Sequence, residues 1–81
     1  MTWYVYILEC ADQTFYTGIT TDIERRLAEH EQGKGAKYTK GRSPLTLVYS
    51  EKYKNRSEAT KREIEIKALP KESKIVLLTS D

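Results

Sequence analysis

Eighty-one residues supply one small domain with a single modest core. Charged residues make up 32% and hydrophobic residues 38%, a globular balance, and no apolar run approaches the roughly 18 residues of a membrane-spanning helix. The net charge of +2 says little about partners, and the single Cys10 excludes an internal disulfide or a cysteine metal cluster, so it reads as a small apolar residue near a strand end.

Residues 3–10, WYVYILEC, read as a strand with Trp3, Val5 and Ile7 on one face and Tyr4, Tyr6 and Leu8 on the other. Both faces are apolar enough to be covered, which predicts a central strand. No signal-peptide pattern precedes it, so a cytoplasmic location is expected. Ala11-Asp12-Gln13 supplies turn chemistry, and TFYTG returns as the second strand of an antiparallel hairpin. An odd loop with a bulge sets Cys10 opposite Thr14 and Leu8 opposite Tyr16, making Tyr6 and Tyr16 diagonal neighbours on one face. A two-residue loop would turn Tyr16 away.

Thr21 with Glu24 forms a capping box that starts a helix near Asp22. Ile23 and Leu27 define its inward stripe, His30 projects over Ile23, and Arg26 lies at the stripe's edge while Arg25 points away. Gly33 is the expected stop. The segment GKGAKYTKGRSP then carries Lys34, Lys37, Lys40 and Arg42 with no acid, plus one aromatic, Tyr38, and reads as an exposed, mobile loop. After Pro44, LTLVYSEKY alternates as a third strand with Leu45, Leu47, Tyr49 and Tyr53 on one side. Asn55 and Glu58 cap a second helix running to about Leu69, with Ala59, Ile66 and Leu69 inward. Glu63 shares that side, Arg62 rides its border, and Glu58 and Glu65 project to its flank. Pro70 ends this helix and can open a third through KESKIVLLTS, although IVLL could equally be a strand.

The order is β-β-α-β-α with a further short helix. Its polar residues of interest are two tyrosines, an arginine, a histidine and a glutamate. A glutamate can hold a hard divalent cation through oxygen, with waters kept, and an arginine is a planar phosphate clamp. A tyrosine titrates ordinarily at about 10, so it needs a neighbouring cation to act as a base near neutrality. Taken singly, each residue also has a structural reading. The tyrosines could be amphipathic core residues, Arg26 and Glu63 an interhelical ion pair, and His30 a satisfied packing histidine.

Together these residues resemble the GIY-YIG nuclease superfamily, in particular its small stand-alone bacterial (YhbQ-like) members. Tyr4-Val5-Tyr6 stands at the first motif and Tyr16-Thr17-Gly18 at the second. Arg26 and His30 follow at the family's helix spacing, and GKGAKYTKGRSPLTLVY and RSEATKREIEIKAL resemble the stand-alone group. The likeness spans residues 3 to about 70 and implies one α+β domain over 1–81, a three-stranded antiparallel sheet flanked by helices. It implies a DNA endonuclease that hydrolyses phosphodiesters in repair or in processing of structured or single-stranded DNA. Tyr16 would be the general base, Tyr6 and His30 would orient water or relay the proton, and Arg26 would hold the phosphate. Glu63, with Glu58 as the alternative, would bind one Mg²⁺ or Mn²⁺. Lys34, Lys37, Tyr38, Lys40 and Arg42 would contact nucleic acid, and a protein partner could supply targeting. The asparagine that larger relatives carry after the glutamate helix has no counterpart here. A nucleic-acid-binding module with weak or no catalysis, and a protein-interaction domain on the same fold, are the alternative readings.

Overall fold

A computed structural model describes residues 1–79; Ser80, the last residue of the predicted third helix, and Asp81 lie outside the described residues. The elements are β1 (Trp3–Glu9), β2 (Phe15–Thr20), α1 (Ile23–Glu31), a 3-10 turn (Lys37–Thr39), β3 (Thr46–Tyr53), α2 (Arg56–Lys67) and α3 (Lys71–Thr79). The sheet has the order β2-β1-β3, antiparallel throughout. The architecture is therefore the expected α+β one.

β1 is central because both its faces are apolar. Val5 and Ile7 are buried against Ala59 and Ile66 of α2, with Leu77 and Leu78 of α3 packed alongside. On the opposite face Tyr6, Leu8, Cys10 and Leu45 form a second buried cluster, covered by Ile23 and Leu27 of α1. Cys10 is buried and free, as a small apolar residue would be.

The hairpin takes the odd loop. Leu8 pairs with Tyr16 and Tyr6 with Gly18, the Cys10 N–H donates to the Thr14 carbonyl at 2.8 Å, and Gln13 takes the left-handed conformation at φ 68°. Asp12 stabilises the turn by accepting from the Thr14 hydroxyl at 2.6 Å. No break in register interrupts this pair; the bulge lies in the other ladder. There β3 carries an extra residue, because Ile7 pairs with Tyr49 while Leu8 pairs with Leu47, leaving Val48 between them. The bulge corrects the predicted alternation of the third strand. Leu45 joins the Tyr6 cluster, whereas Tyr49 and Tyr53 join the Val5 cluster on the other face.

α1 is capped by Asp22, not Thr21. The Asp22 backbone is extended and its carboxylate accepts from the Arg25 N–H at 3.1 Å, which also sets a negative charge at the helix's positive end. The helix closes through a Schellman arrangement at Gly33 (φ +76°), with Gly33 N–H to His30 carbonyl at 3.0 Å and Lys34 N–H to Glu29 carbonyl at 2.8 Å. α2 starts as expected, with Asn55 accepting from the Glu58 N–H at 2.9 Å, but ends at Lys67, short of Leu69. The Pro70 carbonyl then accepts from Lys74 N–H at 3.1 Å, which opens α3 as a helix and settles the helix-or-strand alternative for IVLL.

Candidate active site

The centre of the site is a buried tyrosine held by a buried histidine. Tyr6 is 2% exposed and His30 1% exposed. The Tyr6 hydroxyl lies 2.9 Å from His30 Nε2. On the other side of the ring, Nδ1 lies 2.8 Å from the Thr39 hydroxyl, and the Ala36 N–H donates to it at 3.3 Å. A backbone N–H can only donate, which favours Nδ1 as acceptor and the one proton of neutral imidazole on Nε2; the Thr39 hydroxyl also reaches the Ala36 carbonyl at 2.9 Å, so its proton is shared between Nδ1 and that carbonyl. His30 therefore donates to Tyr6 Oη, leaving the tyrosine's own proton free to donate outward. Burial lowers the histidine's pKa, the Arg26 cation lowers it further, and Glu29 opposes them, so the ring is neutral at pH 7.

Gly18 and Gly35 make this arrangement possible. A Cβ on Gly18, opposite Tyr6, would fall 2.6 Å from the Tyr6 hydroxyl, and one on Gly35 would fall 2.2 Å from His30 Nδ1. Both are closer than any real side chain tolerates. Thr39 is 1% exposed, although its neighbours Lys37, Tyr38 and Lys40 are exposed. The predicted mobile loop is thus anchored at its centre by a buried Thr39–His30 contact. Sequence reading missed Thr39 and Gly35 because a threonine and a glycine among lysines look like ordinary loop residues. Only the partner nine residues back gives Thr39 a role.

Tyr16 is half-buried at the mouth of the pocket. Its ring centroid lies 6.4 Å from that of Tyr6 and 5.2 Å from that of His30, and the Tyr38 ring stacks on it at 6.1 Å with a 25° tilt. The Arg42 guanidinium covers Tyr38, 4.3 Å from its centroid, and ion-pairs with Asp12 of the hairpin. Arg42 therefore joins the loop to the hairpin and is not a free cation. Lys34, Lys37 and Lys40 remain exposed.

Arg26 holds Glu29 at 3.0 Å and stands near enough to Tyr6 to act on its hydroxyl. Burial, with the nearby Tyr16, nevertheless pushes Tyr6 up to about 12 against the opposing pull of Arg26; Glu63 adds a smaller upward push. A neighbouring cation does not turn Tyr6 into a phenolate, because desolvation outweighs it.

Glu63 belongs to α2, which packs on the Val5 face, yet its charge reaches Tyr6. Glu63 pairs with Lys67 at 3.3 Å, and the Lys67 ammonium lies 6.0 Å from the Tyr16 ring centroid. This part of α2 therefore reaches the β2 edge beside Tyr16. Arg26 and Glu63 pair with Glu29 and Lys67 respectively, so they do not form the interhelical ion pair that was the structural alternative. Among the described residues no three His, Cys, Asp or Glu side chains gather as a metal cluster. The local donor set is the single Glu63 carboxylate, 18% exposed. All of it is hard oxygen, which fits Mg²⁺ or Mn²⁺ held by one protein ligand with waters retained.

With this fold and pocket in place, the chain matches the GIY-YIG catalytic domain over residues 2–75. It belongs to that family, and membership points to nuclease-type activity on nucleic acid. Among its relatives is a UPF0213 protein of Natronomonas pharaonis, 53% identical over 78 residues, covering 96% of this chain and 92% of the relative. Another, from Staphylococcus haemolyticus, is 51% identical over 75 residues, covering 93% and 92%. The solution structure of a UPF0213 protein from Bacillus halodurans is similar, with TM-score 0.64, 48% identity and coverage of 98% of this chain and 84% of that one. A protein from E. faecalis gives TM-score 0.65 at 45% identity, with coverage of 98% and 85%. The chain thus falls with the small stand-alone members of the family.

Proposed function

We propose that this pocket hydrolyses phosphodiester bonds in DNA. The observation that carries the reading is the buried Tyr6–His30 hydrogen bond of 2.9 Å beneath the half-open Tyr16 ring. A packing histidine needs no second tyrosine above it, whereas a water-activating site needs a base at the surface and a fixed donor behind it. In this reading Tyr16 takes the proton from the attacking water. Tyr6, kept protonated and fixed by His30 Nε2–H, donates a hydrogen bond that orients the water or the phosphate. Arg26 uses guanidinium donors not engaged by Glu29 to hold the scissile phosphate. Glu63 would hold a divalent ion, which when bound offsets negative charge developing on the phosphate oxygens. The stacked Tyr38 and the lysines at 34, 37 and 40 contact the strand outside the pocket.

The test is incubation of the purified protein with single-stranded, branched and duplex DNA in Mg²⁺ or Mn²⁺, beside folded Glu63→Ala and Tyr16→Phe variants. The expected result is cleavage by the parent and loss on the order of a hundredfold or more in each variant. Undiminished cleavage by both variants would overturn the assignment. Binding without cleavage by the parent would leave a nucleic-acid-binding module.

A further inference from the structure

The basic loop is not the only cationic wall beside Tyr16. Beside Tyr16, the C-terminal end of α2 and α3 bring Lys67 and Lys74 to a groove of about 280 Å³, lined also by Phe15, Tyr16, Thr17 and the basic loop's Tyr38. That volume is near the lower end of small-ligand clefts, ~300 Å³. Two of its three rings, Tyr16 and Tyr38, are already stacked, and Tyr38 is 41% exposed. The two ammoniums are seven residues apart across the helix junction, and no carboxylate lines the groove. Lys67 contacts Glu63 at 3.3 Å, which leaves it further N–H donors. Lys74 forms no ion pair with any described residue. Aromatic side chains beside ammoniums with N–H donors to spare are the chemistry that takes a nucleobase and its phosphate.

We propose that this groove is a subsite for the nucleotide adjoining the scissile one, with Lys67 and Lys74 as ligands of its phosphate and the exposed edge of Tyr38 beside its base. The proposal rests on the reading that Tyr16 marks the point of cleavage, but it concerns binding and can be tested separately. It gives the strand a course from the basic loop, past Tyr16, to the junction of α2 and α3. Lys67 then touches both the acid of the pocket and the neighbouring phosphate.

The experiment is fluorescence anisotropy of a labelled oligonucleotide in EDTA, where no metal-dependent cleavage occurs, over a series of KCl concentrations. The double variant Lys67→Ala/Lys74→Ala is compared with the parent and with Lys61→Ala, an exposed lysine of α2 outside the groove. The double variant is expected to bind several-fold more weakly, with the log–log salt slope reduced by about 0.7 for each phosphate that is no longer neutralised. Lys61→Ala is expected to leave the slope unchanged. Equal slopes in the parent and the double variant would overturn the subsite, as would an equal loss in Lys61→Ala or no binding by the parent. If the parent binds through these lysines but never cleaves DNA with metal present, hydrolysis fails and the subsite stands.

Discussion

Thr39 and Ala36 join the exposed loop to the ring of His30, and the Ala36 N–H directs the protonation of that ring. With Nδ1 accepting from Ala36 N–H and facing the Thr39 hydroxyl, the imidazole proton is committed to Tyr6. Nitrogen-15 NMR of the imidazole should report the Nε2–H tautomer at pH 7; the Nδ1–H tautomer would contradict the network. Thr39→Val keeps the shape and removes the hydroxyl, so stability should fall by about 1–3 kcal/mol, the cost of leaving a buried polar group without its partner. Because burial depresses the histidine below its ordinary 6.5, the unfolded chain takes up this proton before the folded one. The contribution is present above pH 6.5 and shrinks as pH falls below it. Denaturant melts of the parent and a His30→Gln variant over this range should show that dependence only in the parent. At this scale the sequence was informative where parity decides. An odd hairpin loop puts Tyr6 and Tyr16 on one face, and 100° steps put His30 beneath them. The partners of His30 were not legible, since they belong to a loop whose conformation no periodicity specifies.

Among the elements, α2 is held by its contact with β3. Glu51 accepts from Arg62 Nε at 2.9 Å and Nη2 at 3.1 Å, and from the hydroxyls of Tyr53 at 2.6 Å and Tyr49. Burial pushes the Glu51 carboxyl up, but the bonds from Arg62 and the two tyrosines outweigh it and hold the group below its ordinary 4.5. A depressed carboxyl stabilises the fold above the unfolded value and loses that contribution as pH falls through the folded one. Glu51→Gln should therefore cost about 1.5–3 kcal/mol at pH 7 and flatten the acid limb of the stability profile below pH 4.5. An unchanged limb would remove Glu51 as its source. Arg62 precedes Glu63, so the same contact fixes the helix that carries the acid to the β2 edge. The Val48 bulge aims Tyr49 and Tyr53 at this carboxylate and could not be read from LTLVYSEKY. A bulge inserts one residue without altering local composition, and it reverses every side chain beyond it. Helix starts were more legible, because Asn55 and Asp22 cap by short-range chemistry. At α1 the choice between Thr21 and Asp22 depended on a one-residue shift.

Over the whole molecule, the 14 basic and 12 acidic residues are close to balance. Lys67 and Lys74 nevertheless flank Tyr16 and three further lysines stand exposed on the basic loop, while several acids are neutralised in pairs, including Glu29, Glu51 and Glu65. Nucleic-acid affinity should consequently fall steeply with salt despite the small net charge, whereas a protein-interaction domain would show no such gain at low salt. Among the described residues no helix is long and apolar enough to cross a membrane. The architecture was legible because each strand and helix carries its own periodic signal. The convergence of α2 on the β2 edge was less so, since α2 packs against the Val5 face of the sheet while Tyr6 lies on the other. The proposed site depends on that convergence. The account's central claim, that buried Tyr6 and His30 work together in hydrolysis, is tested most directly by a double-mutant cycle on metal-dependent DNA cleavage with Tyr6→Phe, His30→Phe and the double variant. If the pair works as one unit, each single change lowers the rate by about 10²-fold and the double change lowers it little further. Two losses that simply multiply, or no loss in either single variant, would contradict it.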